Sequence, residues 1–197
     1  MTKTVEFYFD VGSPASYLAY TQLTRICEQT ASTLIYQPML LGGVFKATGN
    51  VSPNEVPAKA RYSITDLHRF ARRYGVLLNF NPHFPINTLN IMRAVTAVQR
   101  LHPERFIEFI DCMFQALWIN QLDLNNLSVL SDALQRGGFN PGEVFEWVND
   151  SQVKDQLKRT TDEAIQRGVF GAPSIFVGDE LFFGQDRMDF VREALSA

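Results

Sequence analysis

The chain has 197 residues, and 18 Lys and Arg against 21 Asp and Glu give a formal net charge of −3. With 46% hydrophobic and 20% charged residues it is a globular chain and no disordered polymer, and its acidic balance excludes a nucleic-acid binder that works by bulk charge. No apolar run reaches the ~18 residues a membrane helix needs. Cys27 and Cys112 are too few and too far apart for a disulfide framework or a zinc knuckle. Met1-Thr2-Lys3-Thr4 leads straight into a strand-like segment with no signal-peptide core. Together with unpaired cysteines this leads us to expect a cytoplasmic chain with no membrane partner. Sixteen Phe suggest a wide aromatic interior or cleft.

Val5-Glu6-Phe7-Tyr8-Phe9-Asp10 reads as a buried strand, rich in branched and aromatic residues. Gly12-Ser13-Pro14 follows, with Ser a preferred N-cap and Pro a preferred first helical residue. The helix so begun turns Tyr17, Tyr20, Leu23 and Cys27 inward. Thr33 to Gln37 forms a second strand ended by Pro38, which completes a right-handed βαβ unit with parallel strands. Helices are predicted over Tyr62 to Tyr74, Asn87 to Arg100 and His102 to Leu117, with Pro82 to Pro85 a connector. Asn140-Pro141-Gly142-Glu143 opens another, and Ser151 starts one that ends at Gly168. Ser174 to Val177 and Leu181 to Phe183 are short strands joined by a tight turn at Gly178-Asp179. Asp186 then caps a last helix with Phe190, Val191 and Leu195 inward.

Three features at ends of elements attract a functional reading, because loops and sites gather there. They are Ser13-Pro14-Ala15-Ser16 after the first strand, Gly171-Ala172-Pro173-Ser174 before the third, and Phe183-Gly184-Gln185-Asp186-Arg187 at the last helix. Each has a plain structural reading as well: a helix cap, an edge-protecting proline, and an N-cap with a solvated Arg. Leu41 to Asn50 is an apolar, glycine-rich segment whose Gly42-Gly43 lacks the surroundings of a phosphate loop. His68, His83 and His102 have no partner at metal-ligand spacing, so no metal is expected. Cys27 and Cys112 read as buried spectators.

A βαβ–helices–ββα order, a tetrapeptide like C-P-x-C with both cysteines replaced by serine, and a proline before the third strand resemble a thioredoxin-type fold with a helical insertion. The combination resembles the kappa-class glutathione transferase family, and its bacterial branch of 2-hydroxychromene-2-carboxylate isomerases more closely. Phe7-Tyr8-Phe9-Asp10, Ser13-Pro14, Ser16-Tyr17-Leu18-Ala19, Gly49-Asn50, Phe170-Gly171-Ala172-Pro173 and Gly178 to Arg187 carry the resemblance, which spans nearly the whole chain. It implies an α/β fold: a mixed four-stranded sheet built from residues 1–38 and 169–197, with an all-helical insertion over 39–168.

The resemblance also implies glutathione as co-substrate. Ser13 would then be catalytic, its hydroxyl donating to the ligand's sulfur. Serine cannot cycle between thiol and disulfide, so dithiol exchange is excluded here. Lowering a thiol pKa of about 8.5 by two units takes about 2.7 kcal/mol. A helix N-terminus supplies about 0.3–1, at most ~2 kcal/mol, and a hydrogen bond to a charged group about 1.5–3. Together they suffice. Pro173 is implied to be cis, with the Ala172 backbone pairing with the cysteinyl unit. Relatives usually carry Val there, and Ala leaves main-chain bonds unchanged.

Phe183, Gly184, Gln185, Asp186 and Arg187 are implied to hold the γ-glutamyl end at a helix N-terminus. Lys46, Gly49, Asn50 and Phe84 are implied to meet an aromatic carboxylate substrate. Arg93 is a further carboxylate candidate, and Lys59 and Asp66 are further candidates for the glutathione. The implied activity interconverts 2-hydroxychromene-2-carboxylate and trans-o-hydroxybenzylidenepyruvate, in a homodimer. A broader transferase or peroxidase, and a thioredoxin-like module that binds without chemistry, are the alternatives.

Overall fold

A computed structural model describes residues 3–196. The outermost residues of the two expected terminal halves, 1–2 and 197, lie outside them. Strand β1 (Thr4–Phe9) turns Val5, Phe7 and Phe9 into the main core and Tyr8 to the opposite face, the period-2 alternation of a sheet covered on both sides. Helix α1 (Pro14–Thr30) starts on the Ser13 cap and stops at Ala31, whose left-handed φ of 50° turns the chain into β2 (Thr33–Pro38). β2 runs parallel to β1, with Thr4 opposite Thr33 and Phe9 opposite Pro38. The tail returns as β3 (Ser174–Val177), antiparallel to β1, and β4 (Glu180–Phe183), antiparallel to β3. The sheet order is β2-β1-β3-β4, and it is the mixed four-stranded sheet that the resemblance implies.

Between β2 and β3 the chain is helical. The helices are α2 (Leu41–Thr48), α3 (Pro57–Tyr74), α4 (Leu89–Leu101), α5 (Phe106–Trp118), α6 (Leu127–Arg136), α7 (Pro141–Trp147) and α8 (Ser151–Gln166); α9 (Met188–Ser196) closes the chain. One face of the sheet packs Phe7 and Phe9, with ring centroids 5.0 Å apart, against Phe114 of α5 and the inner side of α1. The other face buries Tyr8 and Phe176 with Met39, Val44, Ala164 and Val169. Among the described residues no helix is long and apolar enough to cross a membrane.

Five local readings are corrected. The glycine-rich segment after β2 is a helix, α2, because Leu41, Val44, Phe45 and Thr48 fall at helical spacing around the two glycines. A Cβ on Gly43 would stand 3.3 Å from Thr161 Cγ2, so the small residue lets α2 lie close to α8. Helix α6 is unforeseen; Asn126 caps it and Leu130 and Leu134 anchor it. Asp186 lies inside a 3₁₀ turn (Gln185–Arg187), and α9 begins only at Met188. The buried stripe of α9 is Met188, Val191 and Leu195, which rotates Phe190 outward to 54% exposure. Cys112 is only half-buried, whereas Cys27 is buried, and burial pushes its thiol up to about 11.

Candidate active site

The topology brings the sequence-distant motifs together. Because β1 and β3 are antiparallel neighbours with Tyr8 opposite Ser174, the C-terminal end of β1 meets the start of β3. Ser13 therefore lies against the Ala172-Pro173 loop. Its hydroxyl accepts the Ser16 N–H at 3.1 Å, which caps α1, and donates to the Ala172 carbonyl at 3.1 Å. The Ala172–Pro173 peptide is cis, as expected, and Phe84–Pro85 is cis as well. The Pro173 carbonyl accepts the Gly184 N–H at 3.0 Å, which sets the end of β4 beside the same loop. Gly184 has a φ of 100°, and a Cβ there would come 2.5 Å from Asp186 Oδ1, so only glycine fits this turn.

These loops floor a cleft of about 1450 Å³. Of the residues picked from the sequence, Ser13, Ala172, Phe183, Gly184, Gln185, Asp186, Gly49, Asn50 and Phe84 all line it. Asn50 Nδ2 donates to the Phe170 carbonyl at 2.8 Å, tying the end of α2 to the proline loop. Phe170 and Phe183 pack at 4.5 Å between centroids on the rim. Leu67, Phe80, Phe84, Ile86 and Leu89 make its apolar end.

Four residues picked from the sequence lie outside the wall. Pro173 stands behind Ala172, and the Arg187 guanidinium pairs with Asp186 at 2.6 Å. Lys46 is exposed on α2, while Phe45 beside it faces the cleft, since consecutive helical residues point about 100° apart. Arg93 also lies outside, its guanidinium 3.4 Å from Asn90 Oδ1. Lys59 and Asp66, on α3, do line the cleft, and Lys59 is the one basic side chain of its described wall, among the carboxylates of Asp10, Glu55, Asp66 and Asp186.

Two supporting residues were missed from the sequence. Tyr74 at the end of α3 donates its hydroxyl to the Gln185 carbonyl at 2.5 Å, and desolvation, then Asp189 and Asp186, push its pKa up to about 12. Asp10, only 1% exposed, accepts from Gly12 N–H, Leu41 N–H and the Thr88 hydroxyl, each at 2.9 Å. One carboxyl thus joins the Ser13 loop, the start of α2 and the residue preceding α4. Its only sequence signal is a carboxylate closing an apolar strand; the partners come from distant segments.

Burial raises the Asp10 pKa, and the hydrogen bonds from Leu41, Gly12 and Thr88 oppose the rise. A carboxyl whose pKa is raised on folding binds its proton more tightly in the folded chain. Stability therefore falls as pH climbs from the ordinary carboxylate value through the folded one. Asp10→Asn is expected to flatten that fall, by at most about 1.4 kcal/mol per pH unit. Denaturant titrations at stepped pH measure it, and an unchanged slope in the variant would assign the response to other groups.

The DSBA-like thioredoxin domain family model matches residues 4–196. Among similar proteins, a 2-hydroxychromene-2-carboxylate isomerase of Sphingobium xenophagum is 32% identical over 197 residues, covering 99% of both chains. Glutathione S-transferase kappa 1 of Homo sapiens is 28% identical over 207 residues, covering 99% of this chain and 92% of its own. A solved 2-hydroxychromene-2-carboxylate isomerase superposes with a TM-score of 0.84 at 26% identity, covering 98% of this chain and 94% of its own. A probable DsbA oxidoreductase from Streptomyces coelicolor, 15% identical with a TM-score of 0.76 over 98% of this chain and 88% of its own, shares the fold alone. The chain belongs to the DSBA-like thioredoxin family, and within it to the group of 2-hydroxychromene-2-carboxylate isomerases and kappa-class glutathione transferases.

Proposed function

We propose that the protein is a glutathione-dependent isomerase that interconverts 2-hydroxychromene-2-carboxylate and trans-o-hydroxybenzylidenepyruvate in the breakdown of naphthalene-type compounds. The observation that carries this reading is the Ser13 hydroxyl at the N-terminus of α1, 3.1 Å from the Ala172 carbonyl, on the floor of a cleft of about 1450 Å³. Pockets for a single drug-sized ligand measure roughly 300–1,000 Å³, so there is room for a tripeptide and an aromatic substrate together. The Ser13 hydroxyl and the partial positive charge of the α1 N-terminus stabilise the thiolate. The Ala172 backbone pairs with the cysteinyl unit. Phe183, Gly184, Gln185 and Asp186 hold the γ-glutamyl end, with the Asp186 carboxylate on its ammonium. Gly49, Asn50 and Phe84 meet the substrate.

The chemistry follows from a soft nucleophile and a conjugated carbonyl. The thiolate adds to the electron-poor side-chain carbon of the ring-opened substrate. A C–S bond forms, and the electron pair of the C=C bond moves onto the conjugated carbonyl as an enolate. The former double bond rotates as a single bond. Collapse of the enolate expels the thiolate and restores the double bond, so glutathione is regenerated and no redox partner is consumed. Covalent catalysis of this kind divides one high barrier into smaller ones. Turnover is expected to need glutathione; equal rates with and without it would remove the mechanism. Unpaired Cys27 and Cys112 suit the cytoplasm, where glutathione is reduced. The working unit is a homodimer.

One observation favours a second reading, a conjugating transferase. Lys59 is the one cation of the described wall, and an isomerase must hold two anions, the glycyl carboxylate of glutathione and the substrate's carboxylate. A neutral electrophile would leave Lys59 to glutathione alone. Stable conjugates with a chlorinated dinitrobenzene, with no isomerisation of the hydroxychromene, would select it. In either reading Lys59 is the anchor. Lys59→Gln is expected to raise the KM for glutathione by about tenfold, the worth of a lost charge-assisted bond. Lys46→Gln, off the wall, should change it less than about twofold. Steady-state kinetics of both variants decide it; equal effects would contradict the assignment.

A further inference from the structure

In the ligand-free protein the proton needed by a thiolate is already in use. The Ser13 hydroxyl donates it to the Ala172 carbonyl at 3.1 Å, while the same oxygen accepts the Ser16 N–H at 3.1 Å. A serine hydroxyl carries a single proton, so it cannot serve the carbonyl and a sulfur at once. Ala172 lines the cleft just before β3, where an extended peptide pairing with the backbone would offer that carbonyl an N–H.

We propose that glutathione switches on its own ionisation by a hydrogen-bond exchange between Ser13 and Ala172. This rests on the glutathione reading above. The ligand's cysteinyl N–H takes the Ala172 carbonyl, and the released Ser13 hydroxyl turns its proton onto the sulfur. The thiol's own proton leaves to bulk water. The Ser13 oxygen does not have to move, since the Ser16 N–H stays on it and only the O–H bond rotates. A ligand without the cysteinyl N–H leaves the hydroxyl occupied. A ligand with the N–H but a capped sulfur breaks the Ser13–Ala172 bond and offers only a weakly accepting thioether in return. The exchange therefore discriminates a thiolate from a thioether, and it favours release of any S-substituted product.

A carbonyl oxygen has two lone pairs, so the competing arrangement keeps both bonds on Ala172 and needs no exchange. Calorimetric titration of wild type, Ser13→Ala and Ser13→Gly with glutathione and with S-methylglutathione at about pH 8 separates the two. Exchange predicts opposite signs. The variants bind S-methylglutathione about three- to tenfold tighter than wild type, because no hydroxyl must be displaced, and bind glutathione about tenfold more weakly. Glycine is tolerated at a helix N-cap almost as well as serine, so agreement between the two variants sets aside damage to α1. If S-methylglutathione binds the variants no tighter than wild type while wild type still binds glutathione, the exchange is overturned and the site reading stands. If wild type binds neither ligand at millimolar concentration, the glutathione reading falls and the exchange with it.

Discussion

Ser13→Ala is expected to lower kcat with glutathione at neutral pH by about 10- to 30-fold. Without the hydroxyl the bound thiol returns toward its ordinary value of about 8.5, which leaves only a few per cent thiolate at pH 7. At about pH 6, where the variant's bound thiol is protonated, glutathione affinity is expected to stay within a few-fold of wild type, since the backbone of Ala172 and the turn at Gly184 to Asp186 are untouched. The pH profile should shift with the rate, so that much of the loss is regained at alkaline pH. A loss of the N-cap costs about 1 kcal/mol of stability and does not mimic this recovery. Kinetics across pH measure it. A rate unchanged by the substitution would mean that Ser13 caps α1 and nothing more, and would favour a thioredoxin-like module that binds without chemistry.

Trp118→Ala is expected to destabilise the fold by about 3–5 kcal/mol, the range for truncating a large buried aromatic. Trp118 has no exposed surface, and its indole N–H donates to the Val11 carbonyl at 2.8 Å. Its ring packs 6.0 Å from Phe80 and 6.1 Å from Phe84 between centroids, and both of these line the apolar end of the cleft. Val11 lies two residues before Ser13, so the same side chain backs the apolar wall of the cleft and the loop that carries Ser13. Trp118→Phe keeps most of the packing and should cost far less. Urea denaturation measures both, and a change under about 1 kcal/mol for the alanine variant would contradict the placement of this residue.

The ends of the chain were legible because each motif obeys local rules. Ser13-Pro14 announces a helix start, Val5 to Phe9 a buried strand, and Gly178-Asp179 a tight turn, and all three stand where those rules put them. The middle was less so. Gly42-Gly43 hid α2 because glycine is a poor helix former, yet Gly43 is what lets α2 approach Thr161 closely. That one omission displaced a site residue: with no helix assigned, the segment could send Lys46 anywhere, whereas the helix sends Phe45 inward. Phe190 failed for a different reason: Met188, not Phe190, shares the i, i+3, i+7 stripe with Val191 and Leu195. Asp10 and Tyr74 lay beyond local rules altogether. Their partners, Thr88 and Leu41 for one and Gln185 for the other, are assembled only when the elements pack.

The most direct measurement is the ultraviolet absorbance of thiolate when glutathione is titrated into the protein as pH is raised. The account predicts a thiolate signal that develops well below pH 8 with wild type and shifts back toward the free-glutathione curve in Ser13→Ala. A signal that follows free glutathione in the wild-type protein, or one that is identical in the two proteins, would contradict it.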